Sequence, residues 1–232
     1  MAGRIGYYGG IVKDGLVLDL DAAKLDSYPR TGTSWKDISG NNNNGTLIGE
    51  PTFDSTNGGS IVFDGSNDYV NLPHILNVSN SPITWNIWFK ANITTSGVLF
   101  SDWSTSNWSF LLRILNGYFT IGMRNGLNVD ISDAQIPIYS LTSNITYNIC
   151  VTYNQLPNTL KTYVNGILVD TRGNAVSPST IKNSTNNFSI GLKQDSTTLL
   201  SGNVYNANMY NRALSSQEVL QNYNATKGRF GL

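Results

Sequence analysis

Apolar residues along this chain alternate with polar ones at a period of two, in short runs closed by turn residues. Ser60-Ile-Val-Phe-Asp-Gly65 and Asp68-Tyr-Val-Asn-Leu72 are two such runs, and Gly15–Asp21 alternates more loosely. Ile83–Ala91 is dense in β-branched and aromatic side chains: Ile83, Thr84, Trp85, Ile87, Trp88 and Phe89. Three Asn-Gly pairs, at 116–117, 125–126 and 165–166, separate runs of this kind. Both central residues of a type I′ turn need positive φ, and Asn-Gly meets that need at least steric cost. The spacing predicts one hairpin from Phe110–Leu115 and Tyr118–Arg124, and a second from Thr159–Val164 and Ile167–Thr171. Further strands are expected at Tyr147–Tyr153, Asn187–Leu192 and Gly202–Tyr210. Roughly twelve short strands make the chain all-β, an antiparallel jelly-roll sandwich of two sheets. Strands with one wet face would explain the Asn, Ser and Thr at alternate positions.

One helix is written near the end, over 215–227. Ser215 is a good N-cap and Glu218, three residues on, completes a capping box. Leu214 and Val219 take the hydrophobic-staple positions, and Val219, Leu220 and Tyr223 form an apolar stripe. Lys227 falls in the last turn, and Gly228 is expected as a left-handed stop. The sandwich with its helix is thus placed at 14–226, between an arm (1–13) and a tail (228–232). Ends of this kind fray or dock on a neighbour. Ile5, Tyr7, Tyr8 and Ile11 are the candidate anchors by which the arm would lie across a partner as an added strand.

Composition narrows the chemistry. Fifteen basic and fifteen acidic residues cancel, and only 13% of the 232 residues are charged. No basic field is present to neutralise phosphates, so nucleic acid is not an expected partner. One cysteine and one histidine allow neither an intramolecular disulfide nor a zinc cluster. No apolar run approaches the roughly 18 residues of a membrane-spanning helix, so no membrane partner is expected. The start has no apolar stretch of a secretory signal, which predicts synthesis in a cytoplasm. Thirty asparagines leave an amide-rich, neutral chain.

Several blocks then occur in a familiar order. They are Asp14–Ala22, Trp35-Lys-Asp-Ile-Ser-Gly40 with Asn44-Gly-Thr-Leu47, Ile61-Val-Phe-Asp-Gly65 with Asp68-Tyr-Val70, Ile83–Ala91, Leu160–Gly166 and Tyr210-Asn-Arg-Ala-Leu-Ser215. In this order they resemble the laminin G-like jelly-roll domains of the concanavalin A-like lectin/glucanase superfamily, over about residues 14–226. The ending Tyr210–Ser215 with Asn222–Phe230 resembles such domains in structural proteins of tailed bacteriophages. That resemblance implies a virion protein (capsid decoration, head fibre or tail appendage), released by lysis. Its implied partners are other virion proteins, copies of itself and cell-surface or environmental polysaccharide. One departure stands out: the family often has an acidic pair in a Gly-X-Ile-Asp-Glu pattern, and here the matching stretch, Gly202-Asn-Val-Tyr-Asn206, is neutral.

Catalysis finds little support in these residues. Glycoside hydrolysis needs two carboxylates on one cleft. The chain has only Glu50 and Glu218, and an Asp19/Asp21 pair on one strand face reads as loop anchors or strand-end acids. His74 lies in a loop without a Gly-X-Ser-X-Gly elbow anywhere, and Cys150 sits inside a strand as a packed thiol. For calcium, Asp37 and Asn41 in one loop and Asp64 and Asp68 in another offer hard oxygen ligands. The same residues also build turns through their own hydrogen bonds, and both readings stand open. For sugar binding, Trp103 and Trp108 sit among polar residues in Ser101–Ser109, with Asp102 and Asn107 as hydrogen-bonding partners. An exposed stacking platform and a loop-packing role stand side by side for these tryptophans. The expected function is adhesion through a lectin-like domain on a virion surface, without catalysis. The alternative is a purely structural virion protein whose sandwich and arm make protein contacts.

Overall fold

The computed structural model describes residues 9–75, 82–102, 108–124, 130–132 (backbone), 137–155, 158–173, 181–182, 184–193 and 198–232. In chain order the strands are β1 (Leu16–Asp21), β2 (Ser34–Trp35), β3 (Gly45–Ile48), β4 (Thr52–Asp54), β5 (Ser60–Asp64) and β6 (Tyr69–Leu72). Next come β7 (Ile83–Ala91), β8 (Gly97–Ser101), β9 (Phe110–Leu115), β10 (Tyr118–Arg124), β11 (Asp130–Ser132) and β12 (Tyr139–Ser140). The last are β13 (Thr146–Asn154), β14 (Thr159–Val164), β15 (Ile167–Gly173), β16 (Phe188–Ile190) and β17 (Ser201–Tyr210), followed by one helix, α1 (Ser216–Lys227).

These strands form two antiparallel sheets. The first runs β15-β14-β13-β7-β17-β5-β4, with β1 beside the second half of β17. The second runs β11-β10-β9-β8-β16-β6-β3-β2, with β12 on β10. Alternation places Ile83, Trp85, Ile87 and Phe89 of β7 between the sheets, facing Phe110, Leu112 and Ile114 of β9 and Phe119 and Ile121 of β10. Trp85 meets Phe110 at 4.7 Å between ring centroids. Each such side chain contributes roughly 1.5–3 kcal/mol by leaving water. The two predicted hairpin turns have positive φ at both residues, Asn116/Gly117 and Asn165/Gly166, as a type I′ turn requires. The 125–126 pair lies outside the described residues.

The other face of the first sheet departs from the expected wet surface. Asn208 donates to Asp19 (2.9 Å), Asn86 to Asn208 (3.0 Å) and Asn148 to Asn86 (2.9 Å), so side-chain amides bridge β1, β17, β7 and β13 in one direction. All four residues are buried. Three segments cover them: α1, residues 9–13 and residues 228–232. Asn222 of α1 accepts from Val12 N and donates to the Tyr210 hydroxyl, which itself donates to Val12 O. Val12, Leu16, Cys150, Tyr163, Tyr210, Leu214 and Val219 form a second apolar cluster there, with Ile11 packed against it. Cys150 is the buried thiol expected, and burial pushes its pKa up.

The helix matches its predicted N-terminus and differs at its end. The capping box between Ser215 and Glu218 is complete, and Leu214 and Val219 are both buried. Leu220 is exposed, because the stripe facing the sheet is Val219, Asn222 and Tyr223. Gly228 is right-handed (φ −58°) and opens a 3₁₀ turn, Gly228–Phe230; the left-handed stop is Gly231 (φ 70°). This displacement carries Phe230 back onto the sheet, where it stacks on Trp88 at 4.3 Å, while Tyr223 stacks on the same indole at 5.6 Å. Trp88 is therefore buried on the outer face of the sheet rather than between the sheets. The tail is a packed part of the domain.

Candidate functional site

Two residues of the predicted sugar platform, Asp102 and Trp108, are not presented to solvent. Asp102 is fully buried and accepts from Ser109 N, Ser109 Oγ and Phe110 N, so its carboxylate anchors the loop that returns to β9. Burial holds its pKa above the ordinary carboxylate range even against those donors. Trp108 is 4% exposed and carries the Arg124 guanidinium 4.3 Å over its ring. A buried carboxylate needs donors and a buried indole needs packing, and both side chains are used up in meeting these needs. Trp103 and Asn107 lie outside the described residues.

Both loops proposed for calcium contain turns closed by their own carboxylates. Asp37 accepts from Asp19 N, Ser39 N, Ser39 Oγ and Asn43 N, which occupy the lone pairs a cation would need. Asn41 turns its amide nitrogen to Leu16 O. Asp64 Oδ1 accepts from Ser66 N and Asn67 N, and Asp68 Oδ2 accepts from Asp64 N, while the buried Asp68 Oδ1 has no hydrogen-bond partner. Among the described residues no three His, Cys, Asp or Glu side chains gather as a metal-binding group. The saturated Asp37 carboxylate does not fit a bound calcium. His74 packs against Phe188 of β16, its Nδ1 3.0 Å from Asn186 O. The arm is corrected as well: Ile11 and Val12 pack on the chain's own helix, because Asn222 and Tyr210 pair with the Val12 backbone. Ile5, Tyr7 and Tyr8 lie outside the described residues.

A different site emerges where the arm, β1, β17 and the end of α1 meet. A cleft of about 550 Å³ opens there, walled by Gly10, Ile11 and Lys13 on one side and by Asn224–Thr226, Gly228 and Arg229 on the other. Asp19, Asp21 and Asn206 form its floor. The register sets Asp21 opposite Asn206 and Asp19 opposite Asn208, so these outward-facing positions share one face of the sheet. A β-bulge at Tyr205 brings Asn206 onto that face.

Each floor group has a defined environment. Asp21 is committed through one oxygen: its Oδ1 accepts from Ala23 N and Arg229 Nη1, Arg229 donates onward to the carbonyls of Asn57 and Gly59, and Oδ2 has Lys24 at 3.9 Å. Asp19 accepts from Asn208 through Oδ1, whereas Oδ2 has only the exposed Lys13 ammonium at 3.5 Å. Burial raises the Asp19 pKa, with Lys24 and Lys13 opposing. Asn206 is buried, and its Oδ1 has no hydrogen-bond partner. A buried amide oxygen without a donor is costly, and the residue that carries this one lines the cleft. Sequence reading singled out Asp19 and Asp21 but missed Asn206 and Arg229. Asn206 lay in the stretch noted only for lacking acids, and Arg229 in a segment expected to fray. The available signal was the polar alternation of Asn206 and Asn208 in a strand otherwise rich in apolar residues.

Among the described residues no helix is long and apolar enough to cross a membrane. No curated protein matches the chain. Several solved structures share its fold. The binding domain of Paraclostridial Mosquitocidal Protein 1 is 20% identical with a TM-score of 0.70, over 92% of this chain and 52% of that one. Domain 4 of AbnA, a GH43 extracellular arabinanase from Geobacillus stearothermophilus solved with arabinotriose, is 17% identical with a TM-score of 0.69, over 91% and 98%. The ligand-binding domain of botulinum neurotoxin serotype D, solved with N-acetylneuraminic acid, is 14% identical with a TM-score of 0.68, over 92% and 51%. The chain thus spans about half the length of the two toxin domains and nearly all of the arabinanase domain. At these identities the likeness is one of fold. The family model described as concanavalin A-like lectin/glucanases superfamily matches residues 64–220, well over half of the chain. The two sheets, their antiparallel order and this match agree: the chain belongs to the laminin G-like family of the concanavalin A-like lectin/glucanase superfamily.

Proposed function

We propose that this protein is a carbohydrate-binding adhesion domain carried on a bacteriophage-like virion, and that it binds without cleaving. The observation that carries the reading is the polar cleft on the outer face of the first sheet. It offers a buried acceptor, while the Asp21 carboxylate beside it is tied to Arg229 and Ala23. Retaining or inverting hydrolysis needs a second carboxylate to attack or to activate water, and Asp21 Oδ1 is taken by Ala23 and Arg229, with Lys24 3.9 Å from Oδ2. Solved relatives of the same fold hold arabinotriose and N-acetylneuraminic acid, which supports a sugar as ligand class. The virion setting rests on the resemblance of the Tyr210–Ser215 and Asn222–Phe230 segments to phage structural proteins.

A glycan array probed with the purified protein tests the binding, and immunogold labelling of particles tests the location. Retention of one glycan class and gold on the particle surface are the expected results. An empty array combined with release of sugar from an oligosaccharide would overturn the reading.

The structural alternative draws on one feature. β15 is an edge strand of the first sheet with Ile167, Leu168 and Val169 exposed in succession. An apolar edge of this kind is suited to another chain. If replacing these three with Lys or Thr removed the protein from particles while leaving array binding intact, β15 would be the attachment surface.

A further inference from the structure

We infer that the cleft between residues 9–13, β1, β17 and the end of α1 seats one compact, uncharged sugar unit, recognised through its hydroxyl hydrogens rather than by stacking. The inference rests on the carbohydrate-binding reading and names the site and the ligand chemistry. Its starting point is the hydrogen-bond inventory. Asn206 Oδ1 has no partner, and Asp19 Oδ2 has only the flexible Lys13 at 3.5 Å. Both oxygens accept and neither can donate while Asp19 is ionised. A ligand that satisfies them must bring O–H or N–H groups. Asn206 stands one diagonal step from Asp19 across β1 and β17, a Cα separation of about 7–8 Å that the hydroxyls of a single ring can bridge.

The surrounding groups exclude other chemistries. A free cation would compete with Lys13 and Lys24, whose ammoniums already lie 3.5 and 3.9 Å from the Asp19 and Asp21 carboxylates. An anion would meet those two carboxylates on the floor, and the three cations of the lining, Lys13, Lys24 and Arg229, already face them, Arg229 being paired with Asp21. Among the described residues no aromatic ring lines the walls, so none of them offers a face for stacking. Ile11, Ala23 and Ala225 supply small apolar surfaces for the C–H face of a sugar, and Lys13 and Lys24 supply donors for its oxygens. The volume, about 550 Å³, lies within the range of small-molecule sites.

The experiment titrates the ¹⁵N-labelled protein with methyl glycosides of neutral hexoses and pentoses, and with glucuronic acid, glucosamine and calcium chloride as separate probes. The side-chain amide of Asn206 is followed by NMR, which requires no variant. The expected result is a saturable shift of that amide with a neutral glycoside, and at least tenfold weaker binding in Asn206→Leu and in Asp19→Asn. Array binding by the unaltered protein, with no Asn206 shift and both variants binding like it, would overturn the site and leave the carbohydrate reading in place. No binding on the array and none in titration would overturn both. A shift produced by calcium or glucuronic acid alone would replace the neutral sugar with a charged ligand and so refute the inference.

Discussion

Arg212 is held from two sides. Its Nε faces the carbonyl and carboxylate of Asp14, and its two terminal nitrogens donate to the two oxygens of Glu218. This fork, with the Ser215 amide, holds the Glu218 pKa down to about 2 from an ordinary 4.5. A lowered carboxylate pKa adds stability that is complete above the unfolded value and is lost as pH falls through the folded one. The pair is partly exposed, so its worth is about 1 kcal/mol rather than the full shift. Glu218→Gln keeps a capping side chain and removes the charge. Urea denaturation should find it about 1 kcal/mol less stable at pH 7, with the gap narrowing below pH 4.5 and closing near pH 2. Asp19 has the opposite sign. Burial raises its pKa, so its contribution is present below pH 3.8 and is lost as pH rises through the raised value. Asp19→Asn should accordingly be no less stable than the natural chain at pH 7 by the same measurement, which keeps it usable as a binding variant.

Turns and the elements they join were legible because their chemistry is local. Asn116-Gly117 and Asn165-Gly166 announce hairpins with no help from the rest of the chain, and both form. What lies against a hairpin is not local, and the two turns separate the effects. A Cβ on Gly117 would meet nothing closer than 3.7 Å, whereas one on Gly166 would lie 2.9 Å from the Tyr223 ring. Gly117→Ala should cost about 1 kcal/mol, from the positive φ alone. Gly166→Ala should cost about twice that, because the helix must also shift. Equal melting temperatures for the two variants would show that Tyr223 yields freely. The same distinction explains Trp88. Its strand was readable from periodicity, but the rings above it come from 135 and 142 positions later, Tyr223 and Phe230. Period two assigns a residue to a face; it does not say whether that face is wet. The Asn86–Asn148–Asn208 amides therefore looked like solvent-facing positions while being buried polar partners.

At the scale of the whole molecule, the two ends of the chain close over one face of the first sheet and form the site between them. Residues 9–13 supply one wall of the cleft and Gly228–Arg229 part of the other. Asn222 joins these ends, since its oxygen takes the Val12 amide and its nitrogen serves Tyr210, whose hydroxyl holds the Val12 carbonyl. Asn222→Ala leaves a buried amide hydrogen and a buried phenol oxygen without this partner, a loss of about 2–3 kcal/mol. The strands do not depend on Asn222 for their pairing, so the sandwich should stay folded while residues 9–13 come away from the helix. Lys13 would then be an accessible cleavage site, and trypsin should cut after it much faster than in the natural chain. Because Ile11 and Lys13 wall the cleft, the same change should weaken glycoside binding without touching Asp19 or Asn206. Faster cleavage with unchanged binding would show that the arm only covers the apolar cluster. Faster cleavage with binding lost would show that residues 9–13 complete the site.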